Sequence, residues 1–284
     1  MSRSAAPLKF LFPGWYAVVM GLAGLSLAWQ RAVPLMGAAA GTVALAVGVL
    51  ATLVFAALAI ATVLRARRHP EAWAEDRRHP VRSSFIATLP IAVILLATVA
   101  VAAGFDGMAT HAAWWAGSMS QLALTTWVLG RWWNGREAGG LQWSGVTPAL
   151  IMPIVGNVLV PLAGVPLGHG EWSAAQFGIG LLFWPVALML LVVRLAVQGP
   201  WPDRLRPTSF IVIAPPAAVG LAALQMGAPV MLAWVFWGLA AFSGLWAATQ
   251  LRRIAALPFG LPHWGLSFPL AALAAEPVAT LQPA

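Results

Sequence analysis

Four prolines recur at matching places in separate apolar stretches of this sequence. Each stretch begins with a polar residue and has a proline six or seven residues later; the four are Pro90, Pro153, Pro215 and Pro269. A proline inside a helix removes one N–H donor and pushes on the carbonyl four residues earlier, so it bends the helix. In lipid, the carbonyl that is set free must find a partner or line a wet cavity. The repeat therefore predicts kinked helices that line a common path.

The prolines leave open which ions such a path would prefer. Freed carbonyls favour cations, whereas the N-terminal end of each half-helix after the bend favours anions. Arg-rich loops would concentrate anions at one mouth, although membrane orientation alone explains those residues. The interiors of the predicted spans contain no Asp, Glu, Lys or Arg. Because coupled transporters commonly carry such groups, their lack favours passive conduction through a neutral pore.

Other residues that could do chemistry lie in settings that do not support it. The chain has no Cys, which excludes disulfides and thiolate sites. His111, His169 and His263 fall at helix ends, and no pair has metal-ligand spacing on one helix face, so we interpret them as interfacial. Ser144 and Ser267 lack a Gly-x-Ser-x-Gly setting and an evident His partner. We expect no enzyme, no metal and no cofactor.

Composition indicates that lipid is the solvent of this chain. Hydrophobic residues make up 61% of it and charged residues 8%, with a mean hydropathy of +0.83, whereas soluble domains have about 25% charged residues. The net charge of +8 could suggest a nucleic-acid partner. That partner is not expected, because the basic residues sit in short loops between apolar stretches. The fold class predicted is an all-α polytopic membrane protein whose partner is the bilayer.

Uncharged stretches of roughly 20 residues predict nine spans within a single transmembrane domain, 1–284. Their predicted bounds are 12–30, 35–64, 83–104, 110–130, 147–167, 172–193, 208–224, 229–251 and 259–275. Fifteen of the 16 Arg and Lys residues, Arg3 and Arg136 among them, fall on one side of this topology, and only Arg31 falls on the other, in an expected turn. The positive-inside rule then predicts a cytoplasmic N-terminus.

The proline repeat divides the spans into five hairpins, the last incomplete, with a period of roughly sixty residues. Such a quasi-repeat predicts a ring in which the kinked odd-numbered helices line a central pore. The first helix has no matching interior proline, but Gly21 and Gly24 lie within it and could loosen it similarly.

Four segments of the chain resemble the family of the tellurite-resistance protein TehA, which includes plant slow-type anion channels and the C4-dicarboxylate–malic acid transporters. They are PGWYAVVMGLAGLSLAWQRA (13–32), HPVRSSFIATLP (79–90), TSFIVIAPPAAVGLAAL (208–224) and HWGLSFPLAAL (263–273). The resemblance runs through nearly the whole chain. It implies a homotrimer in which each protomer holds its own pore, formed by five helical hairpins with kinked odd helices.

The resemblance also implies a gate. A phenylalanine on the ninth helix plugs the pore in this family, and Phe268 in LSFPL, beside Pro269, occupies that position. The family has a tenth helix, whereas residues 276–284 are too short and too Pro-rich to span, so a non-conducting truncated member is one alternative.

The expected function is a gated channel for small anions in a bacterial inner membrane, with a possible link to tellurite resistance. A coupled carrier of C4-dicarboxylates or tellurite is the other alternative.

Overall fold

The computed structural model describes residues 7–135 and 140–280, and within them every regular element is an α-helix or a 3-10 helix. Arg3 and Arg136, which the predicted orientation counts, lie outside these residues. The α-helices are α1 (Tyr16–Met36), α2 (Ala38–Arg68), α3 (Pro70–Arg78), α4 (Thr88–Ala102), α5 (Met108–Gly130), α6 (Met152–Val155), α7 (Pro161–Gly164), α8 (Gly170–Gln198), α9 (Ala214–Gln225), α10 (Val230–Ala248), α11 (Leu251–Ala255) and α12 (Ser267–Thr280).

Four long helices, α2, α5, α8 and α10, form what we call the outer helices. Each is continuous, and α2 and α8 reach 31 and 29 residues. They expose large apolar side chains such as Leu53, Leu182 and Phe242. An exposed apolar face of this extent fits contact with lipid.

Helices that are long and apolar enough to cross a membrane number six among the described residues. They are Pro13–Met36, Ala38–Arg68, Ser84–Ala102, Gly170–Gln198, Asp203–Gln225 and Val230–Ala248. The all-α membrane fold class is confirmed, while the count of nine spans and the ring of hairpins stay predictions.

The stretches that alternate with the outer helices are broken and more buried. A 3-10 helix precedes three of the α-helices: Ser84–Ala87 precedes α4, Asp203–Ile213 precedes α9, and Leu261–Leu266 precedes α12. Between residues 148 and 164, short 3-10 and α turns alternate. With α1, which packs against both α4 and α12, these stretches are the five inner segments: α1, 84–102, 148–164, 203–225 and 261–280. They supply most of the buried apolar core.

The turn between α1 and α2 lies further along the chain than the sequence predicted. Helix α1 continues through Arg31 and Pro34 to Met36, and the chain reverses at Gly37, whose φ is 73°. This left-handed conformation is available to glycine without strain from a Cβ atom. Arg31, expected in a loop, therefore lies inside a helix.

An ion-pair cluster joins an outer helix to an inner segment. The Arg65 guanidinium, at the end of α2, lies 2.7 Å from the Asp76 carboxylate of α3, and both side chains are buried. Arg82, which precedes the second inner segment, lies 2.9 Å from the other oxygen of Asp76 and also pairs with Glu75. These contacts hold α3 against the ends of the membrane helices.

Candidate functional site

Phe268 lies at the start of the last inner segment, where the backbone changes from 3-10 to α-helix. Helix α12 begins at Ser267, whose hydroxyl donates to the Trp264 carbonyl at 2.7 Å. Phe268 is the next residue, and only 6% of it is exposed. The ring packs against α1, where a Cβ atom on Gly24 would lie 3.0 Å from Phe268 Cδ2. The sequence thus places a buried aromatic ring at a break in a helix.

Two small cavities meet at Phe268. The one towards the N-terminal ends of the inner segments, here the N-terminal cavity, measures about 30 Å³ and has room for about two waters. Its walls include Met20, Phe85, Ile91, Met152, Ile211 and Trp264. The one towards the C-terminal ends, the C-terminal cavity, measures about 40 Å³, and its walls include Gly24, Leu27, Arg31, Leu95, Leu162 and Ala272. Two residues, Phe268 and Leu159, belong to both walls.

Every wall residue of these two cavities comes from the five inner segments. All five segments contribute to each cavity, and none of the outer helices does. The two cavities are therefore neighbouring spaces between the inner segments, and Phe268 and Leu159 lie where they meet.

The four repeated prolines lie at the beginnings of α-helical turns. Pro153 and Pro215 are the second residues of α6 and α9, and Pro90 and Pro269 are the third residues of α4 and α12. The first four N–H groups of an α-helix have no partner within it, so a proline at such a place removes no helical hydrogen bond. The prolines therefore mark where 3-10 backbone becomes α-helix, a sharper description than an interior kink.

The carbonyl of Pro153 shows where the backbone groups of a broken segment find partners. The side-chain amide of Gln121 in α5 donates to it at 2.8 Å, and the Thr125 hydroxyl lies 2.5 Å from it. The Asn157 amide donates to the Thr125 hydroxyl at 2.8 Å. All three side chains are buried. Side-chain donors of outer helix α5 thus occupy the Pro153 carbonyl. This carbonyl is therefore not free to attract a cation.

The two glycines of α1 act through close packing. The α-helix is continuous through Gly21 and Gly24. A Cβ atom on Gly21 would collide with the Ser267 hydroxyl, and one on Gly24 would lie 3.3 Å from the Ala271 Cβ. Their missing side chains let α12 approach α1. The sequence had suggested a different role, that these glycines loosen the helix.

Two charged residues near the C-terminal cavity had no place in the sequence prediction. Arg31 is on the cavity wall. Glu276 belongs to α12, just past the predicted ninth span, and its side chain is fully buried. Both residues lie one position past the predicted spans 12–30 and 259–275, in helices that extend beyond those bounds. The one signal available in the sequence was that Glu276 follows an apolar helix without an intervening turn residue.

The remaining candidate residues do not form a reactive site. His111 and His169 lie together, with Nδ1 and Nε2 3.1 Å apart, and His169 stacks on Trp114. No group of three His, Cys, Asp or Glu side chains that could hold a metal occurs in the described ranges. Ser144 is exposed, and the Ser267 hydroxyl is used by the backbone of its own segment.

Sequence comparisons agree with this geometry. The chain is 26% identical over 264 residues to the tellurite resistance protein TehA homolog of Haemophilus influenzae, which covers 92% of this chain and 78% of that protein. It is 24% identical over 296 residues to an uncharacterized transporter of Methanocaldococcus jannaschii, with 95% and 83% covered. It is 26% identical over 210 residues to the S-type anion channel SLAH2 of Arabidopsis thaliana, with 73% and 40% covered.

The family resemblance carried by the four sequence motifs is thereby confirmed. Apolar helices and transporter relatives together make this a multi-pass membrane protein. A model of a channel family, described as voltage-dependent anion channel, matches residues 11–281. With nearly all of its described residues inside that match, the chain belongs to the voltage-dependent anion channel family.

Proposed function

We propose that this protein is a gated channel for small anions and that Phe268 is its gate. The observation that carries the proposal is that Phe268, the one aromatic residue shared by both walls, lines two cavities that only the inner segments enclose. A narrow apolar constriction resists wetting, so ions do not pass until the ring moves. In this role Pro90, Pro153, Pro215 and Pro269 set the backbone around the path, and Gly21 and Gly24 let α12 approach it.

Electrostatic features around the N-terminal cavity support anions as the permeant species. The walls of this cavity, as far as the chain is described, include no ionisable side chain. Met152, Ala214 and Phe268, in the first turns of α6, α9 and α12, belong to its wall. The 3-10 turns before α9 and α12 already accept hydrogen bonds from the first N–H groups of these helices, at the Ile211 and Trp264 carbonyls, so these helix ends add little positive charge. The support for anions is therefore a wall without negative charge, together with the match to the voltage-dependent anion channel family.

The test is ion flux from liposomes that contain purified protein. Phe268→Ala should raise chloride and nitrate efflux over the wild type on the order of tenfold or more, because the apolar barrier is lost. Phe242→Ala is the matched control, since it deletes the same ring from the exposed face of α10. It should leave efflux unchanged.

Three outcomes would contradict the proposal. They are a Phe268→Ala protein that folds but passes no anion, one that passes potassium as readily as chloride, and an equal increase from Phe242→Ala. Size-exclusion profiles of all three proteins in detergent establish that they are folded.

A coupled carrier for dicarboxylates or tellurite is the second candidate, and one observation favours it. Proton-coupled transporters commonly use buried ionisable groups, and Glu276 is a fully buried carboxyl group in α12. A carrier predicts uptake that saturates and depends on an imposed proton gradient. The channel predicts efflux that follows the anion gradient and ignores the proton gradient, so the same liposomes distinguish the two.

The cellular setting proposed is a bacterial inner membrane, with the protein as a homotrimer and its N-terminus in the cytoplasm. The orientation rests on the one-sided distribution of Arg and Lys. A role in tellurite resistance rests on the name of the Haemophilus influenzae relative. Tellurite tolerance of cells that express the wild type or Phe268→Ala addresses that role, and cross-linking in native membranes addresses the trimer.

A further inference from the structure

A separate cavity, here the α8–α10 cavity, lies between the outer helices α8 and α10 near their C-terminal ends. It measures about 220 Å³, several times the volume of either cavity at Phe268. Its inner wall comes from the 3-10 stretch of inner segment 203–225, and the loop after α8 and the start of α11 complete it. The wall reaches the surface at the exposed residues Trp246, Thr249 and Arg253. This cavity is therefore on the lipid-facing side of the molecule, away from the path.

The deeper part of the α8–α10 cavity is apolar. Leu191 of α8, Val212 of the inner segment and Ala247 of α10 are buried wall residues. Ser209 is the polar residue among them, and its hydroxyl already donates to the Arg206 carbonyl at 2.6 Å. An apolar cavity of roughly 150 Å³ is large enough to hold a benzene ring. The α8–α10 cavity therefore has room for a segment of an acyl chain.

Two arginines belong to the wall of this apolar cavity. Arg206 donates through Nη1 to Gln250 Oε1 at 3.0 Å, and its Nε lies 2.5 Å from a carboxylate oxygen of Asp203. The Arg253 side chain is exposed and forms no hydrogen bond or ion pair with the described residues. Asp203, which is not on the wall, offsets one of the two positive charges. The mouth of the cavity therefore keeps a net positive charge.

The backbone at the end of α10 does not cancel this charge. The last carbonyl groups of a helix carry a partial negative charge where they lack partners. Here backbone N–H groups of the following turn donate to the carbonyls of Trp246, Ala247 and Gln250 at 3.0–3.3 Å. These carbonyls are therefore not free to repel an anion at the mouth of the cavity.

We propose that the α8–α10 cavity binds an anionic phospholipid of the surrounding membrane, with its phosphate at Arg206 and Arg253 and an acyl chain against the apolar inner wall. Basic pockets between transmembrane helices bind phosphate-bearing lipid headgroups. Trp201 and Trp246 also belong to the wall, and tryptophan is enriched at the headgroup level of membranes. A phospholipid carries both chemistries in one molecule, whereas a free phosphate would leave the apolar wall empty.

The experiment titrates the purified protein in detergent with cardiolipin, with phosphatidylcholine or with inorganic phosphate and measures its melting temperature. Cardiolipin should raise the melting temperature to saturation, because it binds the native state, and the other two should have little effect. Arg253→Gln should weaken the apparent cardiolipin affinity on the order of tenfold, the loss expected for one charge-assisted hydrogen bond. Arg252→Gln is the matched control, since Arg252 is also exposed but is not a wall residue. It should weaken the affinity by about twofold at most at physiological salt, which screens a charge that makes no contact.

A second pair of variants tests the apolar half of the site. Leu195, a half-buried wall residue in α8, can be enlarged to fill the cavity from the side. Leu195→Trp should therefore abolish the rise in melting temperature with cardiolipin. Ala196→Trp is the matched control, because it adds the same ring to the adjacent exposed position of α8, and it should leave the rise unchanged. Melting temperatures without lipid establish that the variants are folded.

Several outcomes would overturn the lipid site. They are equal cardiolipin affinities of Arg253→Gln and Arg252→Gln, an equal response to phosphatidylcholine, and an equal response to inorganic phosphate, which would indicate a site for free anions. A second copy of the chain is the other occupant to test. Because the sequence has no cysteine, Leu195→Cys can form a disulfide only between copies, and such a disulfide in native membranes would assign this face to a subunit contact instead. None of these measurements needs ion flux, so the lipid site and the channel can fail independently.

Discussion

Inner segment 203–225 and the outer helices α2 and α10 differ in burial far more than in apolar character. In the most apolar 18-residue stretch of Asp203–Gln225, an inner segment, 94% of the residues are buried, whereas the figure is 17% for α2 and for α10. All three stretches are apolar enough to cross a membrane. Hydrophobicity therefore places both layers in the bilayer without deciding which is inside. Local backbone geometry distinguishes the two layers.

The backbone around proline differs between outer helix α8 and the inner segments that carry the repeated prolines. Outer helix α8 contains Pro185 in its interior, and the α-helix continues without a break from Gly170 to Gln198. In the inner segments, 3-10 backbone precedes the turn that contains the repeated proline, as at Pro215. A 3-10 helix rises about 2.0 Å per residue against about 1.5 Å for an α-helix. The 3-10 stretches of the inner segments therefore cover more length per residue than an α-helix does.

The largest effect is expected where the two layers are joined, at Asp76. Asp76→Ala leaves the Arg65 guanidinium buried without its carboxylate partner and releases Arg82. We expect the free energy of unfolding to fall by about 3–5 kcal/mol, the usual result of breaking a buried ion pair. Denaturant titration of the purified protein measures it.

Asp203→Ala is the control for this prediction. Asp203 also pairs with an arginine, Arg206 at 2.5 Å, but 69% of its side chain is exposed. It should cost less than about 1 kcal/mol, because solvent screens the pair. Equal losses from both variants would mean that the cluster at Asp76 does not join the layers.

A smaller effect is expected from adding one methyl group to either layer. In inner helix α7, a Cβ atom on Gly164 would overlap the Ser173 hydroxyl and the Trp114 ring of the outer helices. Gly164→Ala should therefore destabilise the protein by about 1–3 kcal/mol, as overpacking usually does. Gly238→Ala, in outer helix α10, meets nothing within 4 Å and should stabilise the protein by up to about 1 kcal/mol, since alanine favours helix.

The contrast between inner segments and outer helices predicts opposite signs for the stability changes of Gly164→Ala and Gly238→Ala. Destabilisation by Gly238→Ala would show that α10 is packed against protein on the face we assign to lipid. Melting temperatures of both variants in the same detergent provide the measurement.

The sequence alone was sufficient to predict the apolar helices and the repeated prolines. It was insufficient to predict contacts between segments. Length and apolar character predicted long helices, and the proline repeat marked the places where the inner segments change geometry. The 3-10 stretches were missed because 3-10 and α-helices differ by one residue in hydrogen-bond spacing and share the same apolar pattern. Arg31 was placed in a turn because a lone charge in a span is unfavourable. Helix α1, which contains Arg31, packs against α12 from the other end of the chain, and no local pattern reports that packing.

The smallest effect is expected from His79, which lies between α3 and the second inner segment. Its Nδ1 accepts hydrogen bonds from the backbone N–H groups of Val81 at 3.2 Å and Arg82 at 3.1 Å. Burial lowers the pKa of His79 below its ordinary 6.5, and the nearby positive charges of Arg82 and Arg204 lower it further. A protonated Nδ1 cannot accept these hydrogen bonds. The start of this inner segment therefore depends on a neutral imidazole.

The sign of the pH dependence follows from this lowered pKa. The unfolded chain binds the His79 proton at a higher pH than the folded chain does, so stability is lost as pH falls below about 6.5 and through the lower folded pKa. The loss should stay below about 1 kcal/mol, because the side chain is partly exposed and solvent screens its charge. Melting temperatures between about pH 7.5 and about pH 5 should fall more for the wild type than for His79→Gln. Identical slopes would mean that the second inner segment keeps its geometry without this link, and that packing against the other inner segments alone is sufficient to hold it.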